Sequence, residues 1–171
     1  MPHDVVTTQG IQENRWTTLA MPEEGESLEL PATPALVPFK WYLDNREQLA
    51  SRDDIGVWFD SDDEPEQLGS GCRELPIIAV NFPKFTDGRG FSIARLLRER
   101  FGYEGELRAI GDVLLDQLFY MKRCGFDSFE LRPDKDIDKA EAALQVFSDV
   151  HQAAVDEKTP LFRRRSDAEP A

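Results

Sequence analysis

From residue 39 onward, two rhythms of apolar positions alternate along the chain. Phe39, Tyr42, Leu43 and Leu49 recur at helical spacing over residues 39–52, with Pro38 set at the first helical position. An apolar run from Ile55 then stops at Asp60 and reads as a buried strand before an acidic turn. The clearest strand spans residues 75–82, LPIIAVNF, rich in β-branched residues and bounded by Pro76 and Pro83. Ile93, Leu96, Leu97 and Phe101 share one face of a helix over residues 91–102, which Gly102 ends. A strand follows at residues 105–111. The next helix starts at Asp112 as its cap, carries Lys122 and Arg123 in its last turn, and stops at Gly125. Residues 127–131 read as a strand. Residues 136–155 read as a last helix with Ile137, Ala140, Leu144 and Phe147 inward.

The pattern is weaker at both ends. Residues 16–20 predict a short strand, and the acidic, proline-bearing stretch at 21–38 predicts a loop. We therefore expect a loosely ordered segment at 1–35, a single α/β domain at 36–155 and a polar tail at 156–171. Strands alternating with helices predict an α/β fold with a small, mostly parallel sheet of four or five strands and flanking helices. Either an open doubly wound sheet or a partial βα barrel satisfies the pattern. A full eight-unit barrel does not fit in 171 residues.

Charge narrows the choice of ligand. The chain carries a net charge of −13, concentrated at the front: residues 1–80 hold 16 acids and 5 bases, whereas residues 81–133 hold 8 acids and 9 bases. An acidic chain repels phosphate backbones, which argues against nucleic acid, while the near-neutral, arginine-rich middle is where a small anion would bind. Apolar runs fall short of the roughly 20 residues that span a bilayer, and the first residues do not resemble a signal peptide, so we expect a cytoplasmic protein away from membranes. Cys72 and Cys124 are far apart and His3 and His151 are the sole histidines, so we expect reduced thiols and no metal site.

In a parallel α/β sheet, ligands gather beyond the carboxyl ends of the strands. Asp60, Asp62, Asn81, Asp87, Arg89, Ser92, Asp112, Glu130, Arg132 and Asp134 all follow strands and should share one edge. The Asp87-Gly88-Arg89-Gly90 loop stands out. Its glycines could turn the backbone and expose N–H groups at a helix start, and Arg89 could offer a forked donor to an anion. Ser92 and Arg95 could point the same way. The competing reading is that Asp87 and Arg89 pair with each other. Asp112 and Asp116, four apart on the predicted helix, could do acid–base work or hold a divalent ion; alternatively Asp112 is a cap and Asp116 pairs with Arg108, Lys122 or Arg123. The loop is neither a phosphate loop nor a dinucleotide fingerprint.

Several of these pieces recur together in one known pattern. F-x-x-F-x-D-G-R-G at residues 82–90, S-x-A-x-x-L-R at 92–98, G-E-L-R-A-I-G-D-V-L-x-D-Q at 105–117 and G-F-D-x-F at 125–129 resemble a bacterial domain-of-unknown-function family, family nine-three-four. The resemblance covers about residues 75–153. It implies a gene neighbourhood beside sulfite reductase and a role labelled as oxidoreductase or accessory protein of sulfite reduction. It implies no catalytic residues. Two separated cysteines cannot hold a four-cysteine cluster, so no cofactor is expected on this chain and a redox group would sit on a partner. The expected function is an accessory protein of assimilatory sulfite or sulfate reduction. It would bind a small anion or a partner, sulfite reductase or another sulfur-assimilation protein, at the strand-end loops. The alternatives are an enzyme acting on a phosphorylated or carboxylated metabolite through Asp112 or Asp116, and a structural adaptor whose acidic front half docks a basic protein.

Overall fold

A computed structural model of the chain describes residues 4–23 and 26–167. The outermost ends of the predicted loose segment and polar tail, His3 included, and residues 24–25 of the predicted loop lie outside the described residues. The strands are β1 (Val5–Thr7), β2 (Gly10–Gln12), β3 (Thr17–Thr18), β4 (Ala35–Pro38), β5 (Ile55–Phe59), β6 (Ile77–Phe82), β7 (Glu106–Gly111) and β8 (Ser128–Phe129). The helices are α1 (Phe39–Leu49), α2 (Arg89–Arg95), α3 (Leu118–Arg123), α4 (Ala140–Leu144) and α5 (Leu161–Asp167).

The α/β class with flanking helices holds, but the sheet is a mixed one of eight strands, not the small, mostly parallel sheet of four or five strands expected. The strand order is β2-β1-β8-β7-β6-β5-β4-β3. β3 to β8 are parallel neighbours in sequence order, and the β1–β2 hairpin adds antiparallel to β8. From β3 to β8 that order never reverses, so this part of the sheet is not doubly wound; it is the order of a βα-barrel wall, here a curled open arc.

Three strands lie where no strand was predicted, and the strands predicted at 16–20 and 127–131 are each only two residues long. The β1–β2 hairpin falls inside the segment expected to be loose. Gly10 takes φ 122° at its turn, and Val5 and Val6 are buried. β4 falls inside the predicted loop: Pro34 and Pro38 argue against a strand, yet Ala35, Leu36 and Val37 are fully buried between β3 and β5. Pro38 ends that strand and caps α1 rather than opening it. The strand predicted at 16–20 shrinks to two edge residues.

The last predicted helix is the largest departure. It runs as a 3-10 turn at Ile137–Lys139 and α4, ending at Leu144. Beyond Leu144 none of residues 145–160 is fully buried, and short helices persist through packing rather than propensity. The helix predicted to begin at Asp112 is likewise replaced by a 3-10 turn at Leu115–Gln117 followed by α3.

Strand alternation sorts the core onto two faces. Val37, Val57, Ile78, Val80, Leu107, Ala109 and Phe129 form one cluster with Phe39, Ile93, Leu97, Leu118, Met121 and Leu144 from the helices. Leu36, Ile77, Ala79 and Ile110 form a smaller cluster on the other face, against Trp16 and Trp58 of the front half. The main-chain segment bearing Trp16 therefore covers the helix-free face, and the Trp58 indole N–H donates to Leu19 O at 2.9 Å.

Arg98 ties the helix layer to the sheet. α2 passes into a π turn at Leu96–Arg100. From it, Arg98 donates to Gly125 O at 2.9 Å, to Tyr103 O and Gly105 O at 2.8 Å each, and to Asp127 Oδ2 at 2.7 Å. Gly125 has φ 110°, and a Cβ there would meet Arg98 Cγ at 2.7 Å. The Arg98, Gly105, Gly125 and Asp127 motif positions thus serve the fold.

Candidate functional site

Because β4 to β8 are parallel, their carboxyl ends lie along one edge and bring Asp60, Asn81, Asp87, Arg89, Asp112, Arg132 and Asp134 to it. After β5 the chain turns tightly: Asp63 accepts from the Asp60 N–H at 2.7 Å, and Asp60 accepts from the Ser61 N–H at 2.8 Å and from Asn81 Nδ2 at 3.1 Å. Lys40, just past β4, sits 3.1 Å from Asp63, whose hydrogen bond and charge raise the lysine pKa.

The Asp87–Gly90 loop adjoins this turn. Arg89 grips Asp87 through Nε at 3.0 Å and Nη2 at 2.7 Å, and Nη2 also donates to Ser61 Oγ at 2.8 Å. The Arg89 backbone N–H caps the same carboxylate at 3.1 Å. These bonds, the arginine side chain first, hold the Asp87 carboxyl well below the usual range. The paired reading of Asp87 and Arg89 is thus the geometry observed, although the arginine side chain remains 60% exposed.

The loop glycines have other reasons than those predicted. Neither Gly88 nor Gly90 has positive φ. Gly88 sits at φ −83°, and a Cβ there would meet only Phe91 at 4.0 Å. Gly90 lies on the first turn of α2, which starts at Arg89 rather than near residue 92, and a Cβ there would strike the buried Phe82 ring at 2.7 Å. Close packing of the helix on Phe82, not a turn, is what requires glycine at 90.

β7 delivers Asp112 to the same edge, but not as a helix cap. Its Oδ2 accepts the Phe85 N–H at 2.8 Å, and its Oδ1 accepts Arg132 Nη1 at 2.9 Å. Arg132, then the Phe85 amide, lower its pKa, so Asp112 stays ionised. Arg132 also grips Asp134. Gln117 Nε2 donates to Phe85 O at 2.9 Å. Residue 85 is therefore held at both backbone groups, and the residue as a whole is 51% exposed. Phe85 was not among the expected contacts; an aromatic residue between Lys84 and Thr86 in a loop was the available signal.

The other predicted residues are not gathered here. Arg95 pairs with Glu99 at 2.7 Å on the exposed side of α2, and Ser92 is exposed beside it. Asp116 is exposed on the 3-10 turn before α3, so the helical spacing that would align it with Asp112 is not formed. Arg108 is buried on the helix-free face and pairs with Glu106 at 2.7 Å. Cys72 and Cys124 are both free thiols, and burial pushes both pKa values up, away from the thiolate a nucleophile needs. Among the described residues no helix is long and apolar enough to cross a membrane, and no cluster of three His, Cys, Asp or Glu could hold a metal ion.

No curated protein and no solved structure matches the chain. A family profile, described as bacterial protein of unknown function (DUF934), matches residues 56–162, from β5 into α5. That match takes in the strand-end edge, the Arg98 tie and every motif that carries the resemblance, and the chain belongs to this family.

Proposed function

We propose that the chain is a cytoplasmic accessory protein of assimilatory sulfite reduction that docks a partner, sulfite reductase or another sulfur-assimilation protein, through the strand-end edge. The partner's identity rests on the gene neighbourhood that the family resemblance implies. The observation that supports docking is Phe85: a half-exposed aromatic residue on a loop fixed by Asp112 and Gln117. Aromatic anchors held rigidly lose little entropy on binding and are typical of interface hot spots. The charges around it are already paired, so the edge reads as a prearranged polar rim more than as a reaction centre.

An anionic group, whether a partner carboxylate or a small anion such as sulfite, is met by Arg89. Asp87 and Ser61 fix its guanidinium while leaving the side chain largely exposed. An acid–base role for Asp112 is disfavoured, because two donors hold it as a carboxylate. Gene deletion tests the role. A deletion strain should grow on cysteine and grow poorly on sulfate and sulfite, with rescue by the wild-type gene and not by Phe85→Ala. Equal growth on all three sulfur sources would contradict the role.

A further inference from the structure

Arg108 is the candidate that the strand-end edge leaves unused. It is 2% exposed, in the middle of β7 on the helix-free face. A buried guanidinium is costly unless its charge and its donors are all met. Here Nε and Nη2 donate to Glu106 Oε1 at 3.0 and 2.7 Å, Nε also reaches Ser128 Oγ at 3.1 Å, and Nη1 donates to Asn14 Oδ1 at 2.7 Å. The same Asn14 oxygen accepts the Trp16 N–H at 3.0 Å, which fixes the backbone that carries Glu13 and Arg15.

This arrangement floors a cavity of about 450 Å³, lined by Arg108, Glu106, Glu13, Arg15, Gln12 and Trp16 among others. The volume lies within the roughly 300–1,000 Å³ of small-molecule sites. Arg108 and Glu106 pair with each other in its floor, which leaves one cation, Arg15, and one carboxylate, Glu13, at its rim. Glu13 and Arg15 are exposed and have no side-chain partner among the described residues. A simple anion would leave Glu13 unmet, and a simple cation would leave Arg15 unmet. A compact zwitterion meets both.

We infer that the helix-free face binds a free α-amino acid in the cavity over the Arg108–Glu106 pair, its carboxylate toward Arg15 and its ammonium toward Glu13. Trp16 forms the apolar wall for the side chain. The site lies on the opposite side of the sheet from the helix layer and does not depend on the docking edge.

Thermal unfolding of the full chain, with each common L-amino acid at millimolar concentration, tests this. At least one should raise Tm and alter tryptophan emission. Its amide, lacking the carboxylate, and its N-acetyl form, lacking the ammonium, should bind about tenfold more weakly or worse. The Glu13→Gln, Arg15→Gln double variant changes exposed positions only and should fold normally while losing at least about tenfold in affinity. Phe85→Ala should leave the response unchanged. The inference fails if no amino acid shifts Tm or emission. It also fails if the blocked forms or the double variant respond as the parent pair does.

Discussion

Asp87 and Asp112 give the docking edge its dependence on pH. Arginine pairing holds the folded-state pKa of each below its ordinary value. The unfolded chain therefore binds more protons once pH falls below about 4, the ordinary aspartate value. The stability these pairs contribute is complete above that pH and is lost as acidification passes through the folded pKa values. Denaturation midpoints should fall in that acid range, less steeply for the Asp87→Asn, Asp112→Asn double variant, and less steeply in high salt because both pairs are near solvent. An unchanged acid slope in the double variant would contradict this assignment. The glycines separate just as cleanly. Gly90→Ala should cost about 1–3 kcal/mol through overpacking on Phe82, while Gly88→Ala should stay within about 0.5 kcal/mol, both read by chemical denaturation. The chemistry of this loop was legible in its D-G-R-G string, but its geometry was not. Sequence spacing does not say which carboxylate an arginine grips, and Ser61, 28 residues away, reaches Arg89 only through the β5–β6 pairing.

At the level of elements, Arg98 is the tie between α2 and the sheet. It joins three carbonyls and Asp127 with its side chain only 13% exposed. Arg98→Met should destabilise by about 3–5 kcal/mol, because it strands a part-buried carboxylate and three acceptors. Arg98→Lys should recover part of that loss, since a lysine keeps the charge but cannot reproduce the fork. A loss under about 1 kcal/mol in Arg98→Met, measured by urea denaturation, would show the hub to be dispensable. The interior strands β5, β6 and β7 were legible because their residues are mostly apolar and buried on both faces. β4 was hidden by its prolines, and the β1–β2 hairpin by its three-residue strands. The predicted helix at 136–155 failed for the opposite reason: its periodicity continues past Leu144, but the core it would cover does not, and Val146 and Phe147 are exposed.

Across the whole molecule, sequential parallel strands place the helices on one face and the segment around Trp16 on the other, and leave the carboxyl-end loops free to form a single surface. That surface is acidic on balance but internally paired, with one fixed aromatic residue standing out of it. Sequence alone could place these residues on one edge, through the parallel-strand argument. That residue's exposure and the two hydrogen bonds that hold its backbone depend on Asp112 and Gln117 arriving from beyond β7. Calorimetric titration of the chain against sulfite reductase is the most direct measurement of the docking claim. The wild-type chain should bind, and Phe85→Ala, with unchanged Tm, should bind at least about tenfold more weakly, the loss expected of a hot-spot aromatic. No heat of binding from the wild type, or equal affinity in Phe85→Ala, would contradict it.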